Sequence, residues 1–256
     1  MPSVRIDDFE LYYESHGEGF PVVCAHGVGG NHASWYNQIP VLSRRCRMIT
    51  FDHRGFGNSR DTPDGPGRSR FVADLLALLD HLGVAKAALI AQSMGGGTCA
   101  GLTTRHPERV AALVLADTLV GLTLPSPLAE RLAAVTQSTE HLSQKERVLG
   151  RSFLAREPAL AELYVQLASF NAANRKNLRG RFEGVTPASL AATGVPVLFV
   201  VGSEDVLFPP ALVAEVHRLL PQSHFVELAG AGHSAYFEAP AAFNEAVLRF
   251  VTPLLG

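Results

Sequence analysis

Apolar residues fall in short unbroken runs at 21–25, 48–51, 87–91, 110–116 and 195–201, each closed by polar or glycine positions. Runs of this length without alternation suit strands covered on both faces, so they predict a buried, mostly parallel sheet. Shorter runs at 4–6 and 11–14 read as first strands free to pair antiparallel, and 223–228 reads as the last. Between the runs the period changes. Phe71, Val72, Leu75, Leu76, Leu78, Leu79 and Leu82 recur at helical spacing over 69–82, and Gly83 supplies a stop. Positions 94–105, 210–220 and 240–254 read as further helices, the first ended by His106-Pro107. Strands alternating with helices predict a doubly wound α/β sheet.

From 118 to 193 the strand rhythm stops. Helical spacing appears instead at 128–135, 144–153 and 158–171. A helical insertion between two strands of a parallel sheet reads as a cap. It divides the chain into a core of 1–117 and 194–256 and a cap of 118–193. Open α/β sheets bind ligands outside the carboxyl ends of their strands, the edge such a cap would cover.

Composition narrows the possible partners. The 256 residues are 47% hydrophobic with a formal net charge of -2, enough for a substantial core and unlike a disordered chain. The basic run at 44–47 is too short to track a phosphate backbone, so nucleic acid is not an expected partner. The N-terminus is acidic early and lacks the apolar core of a signal peptide. No apolar stretch approaches the ~20 residues of a membrane span. Three cysteines, Cys24, Cys46 and Cys99, lie in apolar surroundings without CxxC spacing, which suits a reducing cytoplasm.

The run at 87–91 ends in Gln92-Ser93-Met94-Gly95-Gly96-Gly97, a strand that turns through glycines into a helix. That setting can lift the Ser93 hydroxyl above the sheet edge, but a serine hydroxyl needs partners to be a nucleophile. Two follow in order, each after an apolar strand: Asp205 in Gly202-Ser203-Glu204-Asp205 and His233 in Gly230-Ala231-Gly232-His233-Ser234. Along nearly its whole length the chain here resembles the α/β-hydrolase superfamily, in its serine esterase or lactonase branch. The usual elbow is Gly-x-Ser-x-Gly, and the first glycine is Ala91 in this sequence.

The resemblance implies an α/β-hydrolase fold and a Ser93–His233–Asp205 triad that needs no metal or cofactor. It makes His26-Gly27-Val28-Gly29-Gly30 the oxyanion loop, with the N–H groups of Val28 and Met94 as donors. Phe51-Asp52-His53-Arg54-Gly55-Phe56-Gly57-Asn58-Ser59 resembles the superfamily's Asp-x-Arg-Gly-x-Gly-x-Ser segment, whose charged groups read as structural. The implied reaction is hydrolysis of a small ester or lactone through an acyl-serine. His26, Gly27, Trp35, Phe153 and Phe170 are the candidate pocket residues. His32, Leu154, Leu163 and Leu167 are further wall candidates, and a homo-oligomer is left open.

Alternatives remain at this stage. Asp117 also ends a strand and rivals Asp205 as the acid, although Asp205 is followed by the Val206-Leu207-Phe208-Pro209 expected of an acid loop. Carbon–carbon hydrolases and cofactor-free haloperoxidase-like enzymes share the fold, and Ser234 stands where the former usually carry Trp. A small-ligand receptor with vestigial turnover is the non-enzyme reading. Dinucleotide binding is a weaker one. Gly95-Gly96-Gly97-Thr98-Cys99-Ala100 fits a Gly-x-Gly-x-x-Ala pattern, but that leaves Ser93, Asp205 and His233 without a purpose.

Overall fold

The computed structural model describes residues 2–7 and 9–254. Eight strands form one sheet: β1 Ser3–Ile6, β2 Phe9–His16, β3 Pro21–Ala25, β4 Arg47–Phe51, β5 Ala87–Gln92, β6 Val110–Ala116, β7 Val197–Gly202 and β8 His224–Leu228. Their order is β1-β2-β4-β3-β5-β6-β7-β8. The β1–β2 and β2–β4 pairs are antiparallel and all later pairs are parallel. Successive residues point to opposite faces of a strand, so each apolar run feeds two cores at once. Val23, Ala25, Leu89, Ala91, Leu113, Leu115, Phe199 and Val201 enter one core. Val22, Cys24, Ala88, Ile90, Ala112, Val114, Leu198 and Val200 enter the other. This is why these strands read as continuous rather than alternating.

The helices are α1 Ile39–Leu42, α2 Phe71–His81, α3 Gly95–Arg105, α4 Ser126–Ser138, α5 Gln144–Val148, α6 Arg151–Arg156, α7 Pro158–Ser169, α8 Pro187–Ala191, α9 Pro210–His217, α10 Ala235–Glu238 and α11 Pro240–Val251. α2, α3 and α9 cover the first face with Val72, Leu75, Leu78, Leu79, Leu102, Leu212, Val213 and Val216. α1 and α11 cover the second with Leu42, Phe243, Val247 and Val251. Burying each such side chain contributes roughly 1.5–3 kcal/mol. Among the described residues no helix is long and apolar enough to cross a membrane.

Between β6 and β7 the chain runs through α4–α8, and a parallel bridge from Leu122 to Val185 closes the base of this insert. Two expectations need correction here. The helix expected over 144–153 is interrupted: Leu149 is extended (φ -127°, ψ 139°), and Gly150 caps a separate α6. Its cause is tertiary, because the Gly150 N–H donates to Glu238 instead of continuing a helical ladder. The helix expected over 158–171 stops at Ser169, with Phe170 as its C-cap.

Candidate active site

Ser93 lies between β5 and α3 with φ +48°, a left-handed conformation that costs a non-glycine residue of order 1–3 kcal/mol. The turn is held from several sides. The Ser93 N–H donates to the Ala116 carbonyl (3.1 Å), and its own carbonyl accepts from the Thr118 hydroxyl (2.6 Å) and the Gly96 N–H (2.9 Å). Ala91, where the family usually has glycine, is fully buried and pairs in register with Ala25, so two small methyl groups meet at the crowded turn. The oxyanion-loop candidate passes directly over the serine. A Cβ on Gly27 would lie 2.2 Å from Gln92 Oε1 and 2.8 Å from Ser93 Cβ, so only glycine fits.

The topology brings together the three residues expected from the sequence. His233 Nε2 lies 2.9 Å from Ser93 Oγ, and His233 Nδ1 lies 3.0 Å from Asp205 Oδ2. The other Asp205 oxygen accepts the N–H groups of Leu207 (2.8 Å) and Phe208 (3.0 Å), which fixes the carboxylate. The Phe208 ring flanks the imidazole at 5.6 Å. Asp117 is also buried but faces elsewhere. Its oxygens accept the N–H groups of Gly202 (2.8 Å) and Ala235 (3.0 Å), joining the end of β7 to the loop after His233. Burial, reinforced by the nearby Asp205 charge, holds the Asp117 carboxyl well above the usual carboxylate range.

Met94 follows Ser93 in the chain, and Val28 follows Gly27, the glycine that passes close to Ser93. Neither N–H donates to a protein group among the described residues. Their side chains join Phe56, Phe71, Leu178 and Phe182 in one apolar cluster. The Phe182 ring lies against Gly97 on α3, where a Cβ would approach it to 2.5 Å. The loop bearing Val28 rests on a buried scaffold. His26 Nδ1 donates to the Gly27 carbonyl (2.8 Å), and its Nε2 accepts the His53 N–H (3.0 Å). Burial pushes both His26 and His53 below the usual histidine value. Asp52 accepts the N–H groups of His32 (2.6 Å) and Asn58 (2.8 Å), and Arg54 forks onto Asp74 with two bonds of 2.8 Å.

The expected pocket residues divide. Gly27 touches Ser93, as described. His26 is 1% exposed and serves the loop from beneath, so it is not a wall. His32 is likewise engaged with Asp52, and its ring lies tilted against Tyr12 at 4.6 Å. Trp35 is fully buried against Tyr236 (4.7 Å), and Phe153 packs on Phe237 (6.0 Å) within the core. Phe170 is 72% exposed, because the helix ends before it and leaves its ring in solvent.

Several residues escaped the sequence reading. Gln92 donates to the His233 carbonyl (2.9 Å), and Glu238 accepts the N–H groups on either side of that histidine. Burial pushes the Glu238 carboxyl up to about 7 against the pull of these donors. A lone acid in Ala235-Tyr236-Phe237-Glu238-Ala239-Pro240 was the available signal. Asn171 of the insert bonds the Gly30 carbonyl and accepts from Gly57 and Asn31, each within 3.2 Å, and it carried no signal.

A sheet with a strained serine after β5, and a histidine and acid after β8 and β7, defines an α/β hydrolase. The family model for the alpha/beta hydrolase fold matches residues 21–240, and the chain belongs to that family. Among similar proteins is BpoC of Mycobacterium tuberculosis, named for a non-heme bromoperoxidase. It is 30% identical, with 94% of this chain and 97% of BpoC covered. Among solved structures, a malate-bound thermophilic esterase from Thermogutta terrifontis is 26% identical, covers 100% of both chains and has a TM-score of 0.83. Est816, an N-acyl homoserine lactone degrading enzyme, is 25% identical over 97% of this chain and 100% of its own, with a TM-score of 0.81.

Proposed function

We propose that this α/β hydrolase is a serine hydrolase that cleaves small neutral carboxylic esters or lactones. The observation that carries the reading is the Ser93–His233–Asp205 relay, with contacts of 2.9 and 3.0 Å, on a backbone strained at Ser93. Ser93 Oγ attacks the carbonyl carbon while His233 Nε2 takes the hydroxyl proton and Asp205 steadies the imidazolium. The substrate carbonyl oxygen, now an oxyanion, accepts the N–H groups of Val28 and Met94, each typically worth about 2.7–4 kcal/mol. The imidazolium then protonates the leaving alkoxide. Water, deprotonated by the same imidazole, releases the acid from Ser93. We take residues 118–193 as the cap over this site, since Tyr164, Asn171 and Phe182 reach its loops. Three free buried cysteines support a cytoplasmic setting.

The test is the intermediate itself. Intact-mass measurement after mixing with p-nitrophenyl butyrate should show one butyryl adduct on wild type and none on Ser93→Ala. Fast hydrolysis without any adduct in rapid quenching, or equal labelling of both proteins, would count against the reading. Supplying hydrogen peroxide in the same experiment separates water from peroxide as acceptor, the variant that the likeness to BpoC favours.

The apolar cluster around Val28 and Met94 sets the preferred chain length in this reading. Phe182→Ala opens that wall and is expected to raise the octanoate-to-butyrate ratio of kcat/KM about tenfold, the scale of one or two methylenes in an apolar pocket. An unchanged ratio in steady-state assays would place the acyl chain elsewhere.

A further inference from the structure

The loop carrying His233 is held by buried side chains at four neighbouring backbone groups. The N–H groups of Gly232 and Ser234 donate to Glu238 (2.9 and 3.0 Å), and that of Ala235 donates to Asp117 (3.0 Å). The His233 carbonyl accepts from Gln92 (2.9 Å). Of these three side chains, Glu238 also reaches the insert. The oxygen that serves Gly232 accepts the Gly150 N–H at 2.7 Å, in the break between α5 and α6. The two backbones touch there. A Cβ on Gly150 would lie 2.8 Å from Gly232 N, and one on Gly232 would lie 2.2 Å from Gly150 N. Two residues on, Ser152 donates through its N–H (2.8 Å) and its hydroxyl to Glu204, the neighbour of Asp205.

We propose that Glu238 is a positioning residue for His233: its carboxylate sets the imidazole against Ser93 Oγ and links that placement to the seating of the insert at Gly150. This rests on reading Ser93 and His233 as nucleophile and base. Glu238 is 6% exposed, and its two oxygens serve three N–H donors. An amide in its place offers one oxygen and turns a donor toward an N–H, so at least one of the three loses its acceptor. The loop then moves, and misplacement of a reacting group by about 1 Å costs about 10²-fold in rate.

The experiment compares wild type, Glu238→Gln, Gly150→Ala and the double variant on p-nitrophenyl butyrate. Thermal melting establishes folding, and fluorophosphonate titration counts competent sites. Gly150 has φ -64°, open to alanine, so what the new methyl changes is its contact with Gly232 N (2.8 Å), Glu204 (2.9 Å) and Glu238 (3.1 Å), the groups of this junction. Each single variant is expected to lose about 10²-fold in kcat per titrated site with KM within about twofold. The double variant should be no slower than the slower single one, because both break one tether. A residue that served stability alone would lower the melting temperature or the titrated fraction and leave turnover per site unchanged. Turnover per site within about threefold of wild type in either folded variant, or losses that multiply, overturns the proposal. If Glu238→Gln does not fold, Gly150→Ala decides alone. Ser93→Ala runs in parallel: full activity there removes the serine reading itself, whereas an inactive Ser93→Ala beside a normal Glu238→Gln removes only this proposal.

Discussion

Ser93→Ala is expected to lower kcat for a neutral ester by about 10⁶-fold while the fold is retained, the scale on which a serine protease loses its nucleophile. On the proposed mechanism the residual rate would come from the Val28 and Met94 N–H groups and from substrate binding, which survive the change. The side chain is small and, among the described residues, its Oγ bonds only His233, so little structural cost attends its removal. Alanine keeps the Ser93 N–H and carbonyl bonds to Ala116 and Thr118 that maintain the turn. Stopped assays at high enzyme concentration, with circular dichroism as the folding control, measure the effect. A fall of tenfold or less would mean that another group attacks the carbonyl.

The second large effect separates two buried acids. Asp205→Asn is expected to lower kcat by up to about 10⁴-fold, the cost of favouring the wrong imidazole tautomer in a serine-protease triad. The Leu207 and Phe208 N–H bonds need only one oxygen, which an amide keeps, so the loop should stand. Asp117→Asn should cost kcat far less, at most the ~10²-fold of a shifted His233 loop, because Asp117 holds Ala235 and does not bond the imidazole. It retains one acceptor for Gly202 or Ala235 and loses about 1 kcal/mol of stability with the other. Turnover numbers and melting curves for the pair decide the matter. A crippled Asp117→Asn beside an active Asp205→Asn would exchange their roles.

How much was legible followed from how local each signal is. β5 and the elbow could be read because a strand buried on both faces is continuously apolar, and because glycines follow Ser93 at once. The two acids could not be ranked by type, since both end strands. They differ in backbone geometry: Asp117 has φ +49°, which aims its carboxylate at Gly202 and Ala235 rather than at His233. The interruption at Leu149-Gly150 was hidden because the local spacing over 144–153 continues a helix. The acceptor that ends it, Glu238, lies in a distant part of the chain. Phe170 illustrates the same limit from the other side. Its apolar character suggested a wall, yet the helix stops one residue earlier and nothing local says so. Glu238 was visible only as an acid out of place in an apolar stretch.

The insert's bonds to the core through Asn171, Gly150 and Ser152 bear on recombination between relatives. Asn171, the Gly150 N–H and Ser152 travel with a transplanted segment 118–193, whereas Asn31, Gly57, Glu204 and Glu238 stay with the host. A donor segment lacking the matching groups would leave a buried carboxylate short of a donor, at a cost of about 1–3 kcal/mol or more for a charged group. Chimaeras cut at 118 and 193 should therefore succeed or fail as sets of paired residues. Libraries that exchange Gly150 together with Gly232 and Glu238, and Asn31 together with Asn171, would retain folded members that a simple segment swap discards.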